Sequence, residues 1–327
     1  MHRSLTSADR RWLQERFGPA LRFDEPMSRH TWIRIGGPAE AFVTPEHPGD
    51  LSDLVRGCRK RGLPLLPIGG GTNLLVGDAG IPGVVVSPAR CLDRIHAPEI
   101  DGSAVRLQVM AAVRLPALVR HTAEHGWRGL TFAAGIPGSV GGAAVMNAGT
   151  RLGCMAEVIE RIELLTGDGS TVTADRHHLD FGYRCLSWER VHAGPAIPPQ
   201  IVVRVEFRLA ADRKESLQAE VARYLAQRNR SQPTTLPSAG CFFKNPSADQ
   251  PAGRLIDRAG LKGMRIGGAQ VSERHANFIV NRGGASAADV IELMERIRDT
   301  VFDRFRIKLE PEVIFVGQQT HPQKPIP

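Results

Sequence analysis

The chain has 327 residues, 42% of them hydrophobic, and a formal net charge of +8 in which 36 arginines far outnumber 6 lysines. That length and apolar content can bury a substantial core, which excludes a tail, a linker or a low-complexity segment. The basic residues are spread along the chain without a block; this counts against a nucleic-acid footprint and suits anionic small molecules, with a compositional habit as the equal alternative.

The N-terminal stretch MHRSLTSADRRWLQERFG is charged and helix-patterned, and no apolar run reaches the roughly 18 residues of a bilayer span, so no membrane insertion and a cytoplasmic location are expected. Ser7 to Phe17 reads as a short amphipathic helix, and SRHTWIRIGGPAEAFVTP as strand, Gly-Gly turn, strand. A helix near Asp50 to Arg61, an apolar strand LPLLPI, a GGGTN loop and a strand at GVVV follow. From about Arg106 come a strand, a helix through Leu115 to His125, and TFAAGIPGSVGGAAVMNAG. Five glycines and five alanines in that last stretch leave little side-chain volume, so its backbone must lie close to something. Strands recur at VIERIELLT, STVTA and QIVVRVEFRLA, and after Ala210 the pattern changes to a polar helix that ends in SQPTTLPSAG.

A domain boundary is therefore placed near Ala211. Beyond it lie SAGCFFKNP, a helix at AGRLIDRAG, a strand at HANFIVN and a long helix from Ser286. In that helix Val290, Leu293, Met294, Ile297, Val301 and Phe305 recur at core spacing, and Ser286 with Asp289 resembles a capping box.

Several stretches have the residue types for chemistry. PIGGGTNLLV follows an apolar strand and offers consecutive glycine amides to an anion, or else makes a tight turn; it fits neither the Rossmann nor the P-loop pattern. The second glycine stretch, with Ser139 and Asn147 and no charge from Thr131 to Thr150, pairs with the first as a dinucleotide cradle, or packs backbone closely between strands. FGYRCLSW sets Arg184 after an aromatic pair, where it can hold a carboxylate or phosphate, or form a structural ion pair. SAGCFFKNP brings Cys241, Lys244 and Asn245 together, and leaves open whether the thiol is core sulfur or a reactive group. KLEPEVIFVG puts Glu312 on one strand face with Ile314 and Val316, where partial desolvation would raise its pKa, unless it is simply exposed. The five cysteines, Cys58, Cys91, Cys154, Cys185 and Cys241, include no CxxC pair, and HTAEH lacks the HExxH order, so no metal is expected.

Taken together, HTWIRIGGPAE, PIGGGTNLLVGDAGIPGVVV, AGIPGSVGGAAVMNAG, FGYR, QPTTLPSAGCFFKNP, AGRLIDRAGLKGMRIGGAQVSERHANFIVN and LEPEV resemble the UDP-N-acetylenolpyruvoylglucosamine reductase (MurB) family, collinearly from about His30 to Gly317. The form between FGYR and QPTTLPSAG looks like the shorter family subtype. The resemblance implies an α+β chain: a two-subdomain FAD-binding region of the vanillyl-alcohol oxidase (PCMH) type followed by an α/β substrate-binding domain. On this reading residues 1–29 are an N-terminal helix and lead-in, 30–95 and 96–211 the two FAD subdomains, 212–317 the substrate domain and 318–327 a flexible tail.

The implied reaction uses NADPH and FAD to reduce UDP-N-acetylglucosamine enolpyruvate to UDP-N-acetylmuramate for peptidoglycan precursor synthesis. Implied FAD contacts are Gly69, Gly70, Gly71, Thr72, Asn73 and Leu74 from the first loop. Ala134, Gly135, Pro137, Gly138, Ser139, Gly141, Gly142 and Asn147 supply the second. After hydride delivery to the enolpyruvyl methylene, Arg184 and Glu312 stabilise an enolate-like charge and Cys241, at a position that is serine in many members, supplies the proton. Tyr183, Ser238, Lys244, Asn245 and Gln270 are implied substrate ligands, and Cys185 is assigned to packing. TRLGCM departs from the family at Arg151 and Cys154, where many members carry tyrosine and glutamate. The competing readings are an alcohol or hydroxy-acid oxidase of the same superfamily, and a catalytically silent nucleotide-binding protein.

Overall fold

Thr6 starts the first helix: its hydroxyl accepts from the Asp9 N–H at 3.2 Å while the Asp9 carboxylate accepts from the Thr6 N–H at 3.0 Å, a capping box ahead of Ser7–Phe17. In the computed structural model, residues 3–188, 201–247 and 249–318 are described. They fall into two units that are discontinuous in sequence: Met1–Arg22 with Ala41–Gly70 and Gly83–Gln227, and Phe23–Glu40 with Gly71–Pro82 and Arg228–Pro327. In this division residues 23–40 and 71–82 cluster with the C-terminal part of the chain. No described helix is long and apolar enough to cross a membrane.

The first unit is built on an antiparallel sheet in the order Thr171–Asp175, Ile159–Leu165, Ile201–Ala211, Ala104–Met110, Glu99–Asp101. Alternation sets its two faces: in Ala104–Met110, Val105, Leu107 and Val109 are buried while Arg106 is exposed. A shorter parallel pair joins Leu65–Pro67 to Val84–Val86, fed by the helix Pro48–Arg61, which ends at Gly62 in a left-handed conformation. The second glycine stretch contains its own short helix, Val140–Val145, started by the Ser139 hydroxyl accepting from the Gly142 N–H at 3.3 Å.

The second unit holds an antiparallel sheet in the order Ser238–Cys241, Phe278–Asn281, Ala269–Val271, Arg265–Ile266. The helix Ala287–Phe305 buries Val290, Leu293, Met294, Ile297 and Val301, the spacing expected from the sequence, together with Ala239, Phe242, Val271 and Ile279. A parallel pair, Ile314–Val316 with Leu74–Val76, ties the first glycine loop to the C-terminal segment.

The stretch Thr31–Ile35 is not a strand, contrary to expectation. The Thr31 hydroxyl donates to the Ile35 carbonyl at 2.8 Å and accepts from the Ile35 N–H at 3.2 Å, closing a local turn with Arg34 at φ 58°. Ile33 and Ile35 still enter the core, so the apolar alternation is real and the ladder is absent. Asn281 holds this turn: its side-chain amide donates to the Ile33 carbonyl at 3.0 Å while its oxygen accepts from the Gly283 N–H at 2.9 Å.

The start of Ala287–Phe305 is doubly satisfied. Ser286 and Asp289 form the expected capping box, and Asp78 accepts from the Ala287 and Ala288 N–H groups at 2.8 and 3.0 Å. Asp78→Ala is expected to lower unfolding stability by about 1–2 kcal/mol, with Asp78→Asn milder. Urea denaturation with a lowered midpoint and an unchanged slope is the result that agrees; an unshifted midpoint would remove the capping role.

Candidate active site

The first glycine loop leaves Gly69 and Gly70 exposed and Gly71 buried. A Cβ at Gly69 would collide with the Ser139 hydroxyl, and one at Gly71, where φ is 61°, with the His30 carbonyl. The Gly71 carbonyl accepts from the Trp32 N–H at 3.1 Å, and His30 is held by the buried Glu25, 2.9 Å from its Nε2. In the second loop the Gly141 N–H donates to the Ala111 carbonyl at 2.8 Å, and a Cβ on Gly141 would press on Ala111 at 2.8 Å. Gly135 and Gly138 adopt φ of 76° and 109°, and Ala134 is buried. Backbone-lined, uncharged surfaces of this kind fit a pyrophosphate held by amides and a flat ring laid on small residues.

Arg184 is set by its hairpin. Gly182 pairs with Cys185, so Tyr183 and Arg184 are the two-residue loop between Asp180–Gly182 and Cys185–Ser187. Arg184 has φ 59°, a conformation usual for glycine or asparagine, and its guanidinium donates to the Gly149 carbonyl at 3.2 Å. Asn147 joins this hairpin to the second glycine loop: its amide donates to the Gly182 carbonyl at 2.9 Å and its oxygen accepts from the Ala156 N–H at 3.0 Å. Tyr183, 52% exposed, lies with its ring under the Arg184 guanidinium. Cys185 is exposed, which corrects its assignment to packing: in Cys185–Ser187 only Leu186 turns inward.

Cys241 is placed by a bulge. Ser238 pairs with Val280 and Cys241 with Phe278, so three steps on one strand match two on its partner, and Gly240 takes φ 83°. Residues Val280 and Phe278 share a face, so Ser238 and Cys241 share it too. Ala239 and Ile279 occupy the opposite, core-filling face, and Cys241 is outside that core and half-buried.

After the thiol, the chain is gripped on both sides. Asn277 accepts from the Phe243 N–H at 3.0 Å and donates to the Phe243 carbonyl at 2.8 Å, and its backbone carbonyl accepts from Phe242 at 2.9 Å. Neutral His275 Nδ1 accepts from the Asn277 N–H at 3.3 Å, and burial, helped by Lys262, holds the His275 pKa below its ordinary value. On the other side, Glu312 N–H donates to the Phe242 carbonyl and Lys244 N–H to the Glu310 carbonyl, both at 2.8 Å.

Glu312 therefore lies beside the Cys241–Lys244 segment, just before the strand Ile314–Val316 and not within it, and Ile314 is 41% exposed, so the expected apolar strand face is not formed. Asn73 completes the cluster: its side-chain amide donates to the Glu312 carbonyl at 3.1 Å and its carbonyl accepts from the Ile314 N–H at 2.9 Å. Thr72 and Leu74 flank it in the same loop.

Of the other expected ligands, Lys244 pairs with Glu310 at 3.3 Å on the surface, a contact weak enough to yield to an anionic ligand. Asn245 accepts from the Ala252 N–H at 3.0 Å and so starts the helix Ala252–Arg258. Gln270 donates to the Gly263 carbonyl at 3.1 Å and pairs across Val280 with Ser238 in one row of the sheet. Cys154 caps a short turn with Glu157, and Arg151 is exposed in the adjoining hairpin loop. The holding residues Asn277, Asn281 and Asp78 were missed by sequence reading; asparagines ending an apolar strand and an aspartate after a glycine were the available signal.

Residues 39–175 match the FAD binding domain family, and residues 232–316 match the UDP-N-acetylenolpyruvoylglucosamine reductase C-terminal domain family. The UDP-N-acetylenolpyruvoylglucosamine reductase of Desulfosudis oleivorans is 46% identical over 309 residues, covering 94% of this chain and 98% of the relative. That of Heliobacterium modesticaldum is 44% identical and covers 90% of each chain. The crystal structure of the corresponding reductase from Thermus caldophilus superposes with a TM-score of 0.73 at 37% identity, covering 89% of this chain and 97% of that one.

Burial pushes the Cys58 thiol up to about 12 and the Cys91 thiol up to about 11, so both stay protonated near neutral pH. Brief alkylation of the folded protein with iodoacetamide, mapped by mass spectrometry, is expected to mark exposed Cys185 and spare Cys58 and Cys91. Labelling of Cys58 as fast as Cys185 would contradict the burial argument.

Proposed function

The chain belongs to the UDP-N-acetylenolpyruvoylglucosamine reductase family, and on that premise we propose that it reduces UDP-N-acetylglucosamine enolpyruvate to UDP-N-acetylmuramate with NADPH, in the cytoplasm. It is an FAD-dependent oxidoreductase of peptidoglycan precursor synthesis. The observation that carries the reading is the hydrogen bond from Asn73, in the first glycine loop, to the Glu312 carbonyl, beside the segment that presents Cys241.

The exposed Gly69 and Gly70 and the small residues of the second loop would hold FAD. The chemistry that bound FAD supplies is the two-electron relay from NADPH to the enolpyruvyl double bond. Arg184 stabilises the negative charge that develops beside the substrate carboxylate, and its loop is fixed for this by Asn147 and Gly149. Glu312 polarises the reacting centre from a backbone locked by Phe242 and Asn73. Cys241 gives its proton to the carbon that bears the carboxylate and is reprotonated from solvent. A thiol suits this task because its ordinary pKa of about 8.5 keeps it protonated near neutrality while making it a better acid than a serine hydroxyl. Lys244 and Gln270 orient the nucleotide portion, and Tyr183 offers an exposed ring to the substrate. Residues 30–95 and 96–211 serve as FAD subdomains and 212–317 as the substrate domain on this reading.

Three variants test it. Purified protein is expected to be yellow, and Cys241→Ala is expected to keep NADPH-dependent flavin bleaching while slowing reoxidation by the enolpyruvyl nucleotide roughly 10²- to 10⁴-fold. Cys241→Ser is expected to retain measurable turnover; normal reoxidation in the alanine variant takes Cys241 out of the mechanism. Arg184→Gly relieves a left-handed backbone, so stability should hold or rise by up to about 1 kcal/mol, while reoxidation slows at least about 10²-fold. A stable Arg184→Gly protein with unimpaired reoxidation counts against the arginine's role.

A further inference from the structure

We propose that the Ser238 hydroxyl donates a hydrogen bond to the carboxylate of the enolpyruvyl substrate, a role that rests on the reductase reading above. Ser238 is 8% exposed, and its Oγ is buried without a hydrogen-bond partner among the described residues. A buried hydroxyl left without a partner is costly, and such groups in folded proteins await a ligand or water.

The position does not need a polar side chain for packing. Neighbouring Ala239 fills the core face of the same strand with a methyl group alone. The bulge at Gly240 places Ser238 and Cys241 on one face, opposite Val280 and Phe278. Positions two apart on the partner strand are about 7 Å apart, the reach of one small functional group.

The chemistry then selects the acceptor. A hydroxyl hydrogen in a buried setting bonds most strongly to a charged oxygen. The carbon that takes its proton from Cys241 bears such a group directly, the carboxylate of the enolpyruvyl ether. Ser238 is thus a specificity residue that recognises the acid next to the reacting carbon, and the sugar nucleotide without that acid gains nothing from it.

Calorimetric titration of the FAD-loaded protein, without NADPH, separates the outcomes. UDP-N-acetylglucosamine enolpyruvate and UDP-N-acetylglucosamine are the two probes, against wild type and Ser238→Ala. The variant is expected to lose about 10- to 100-fold in affinity for the enolpyruvyl compound and nothing for the compound lacking it. Its ligand-free Tm is expected to equal or exceed that of wild type, since the orphaned hydroxyl is gone. Equal enolpyruvyl affinity in both proteins overturns the inference and assigns the hydroxyl to water. Equal losses for both probes overturn it by placing the hydroxyl on another part of the nucleotide. A flavin-loaded wild type that binds neither probe overturns the reductase reading, and this inference with it.

Discussion

One extra residue in the strand Ser238–Cys241 decides which side of the sheet its thiol occupies. In a regular strand Cys241 would alternate away from Ser238 and join Ala239 in packing against Ala287–Phe305. Gly240, at a left-handed φ that most residues resist, absorbs the extra position and turns Cys241 to the other face. Glu312 and Asn73 are then aligned on the segment that follows, through backbone bonds that need Phe242 and Lys244 to stay in register.

That register is held by side-chain amides standing in for missing strands. Asn277 pairs with both backbone groups of Phe243, as a neighbouring strand would. Asn281 donates to Ile33 in its turn and accepts from Gly283, and Asn147 donates to Gly182 in the hairpin that carries Arg184 and accepts from Ala156. Buried backbone donors and acceptors are costly when unpaired, and irregular segments near a reactive group cannot use a ladder. An asparagine supplies both a donor and an acceptor in one side chain, which suits it to these three places.

The long C-terminal helix was readable because it carries its own periodic code and its own cap. Ser286 with Asp289 and the apolar residues of Ala287–Phe305 fall where local rules put them. Thr31–Ile35 carried a strand pattern, but the Thr31 hydroxyl satisfies both backbone groups of Ile35 locally, an alternative that competes with a strand ladder. Glu312 was readable as important only through its motif; its position depends on Phe242 and Asn73, distant along the chain.

The sequence alone determined the α+β composition, the two glycine-rich loops, the resemblance to a flavin reductase family and the identity of the groups able to do acid and anion chemistry, because these depend on residue type and short spacing. The tertiary structure alone decided that Cys241 leaves the core, that Cys185 is exposed, that Glu312 precedes its strand, and that Asp78 caps a helix 209 residues away. These outcomes depend on strand register and on which distant polar group satisfies a buried backbone atom, and neither is written in any local stretch of residues.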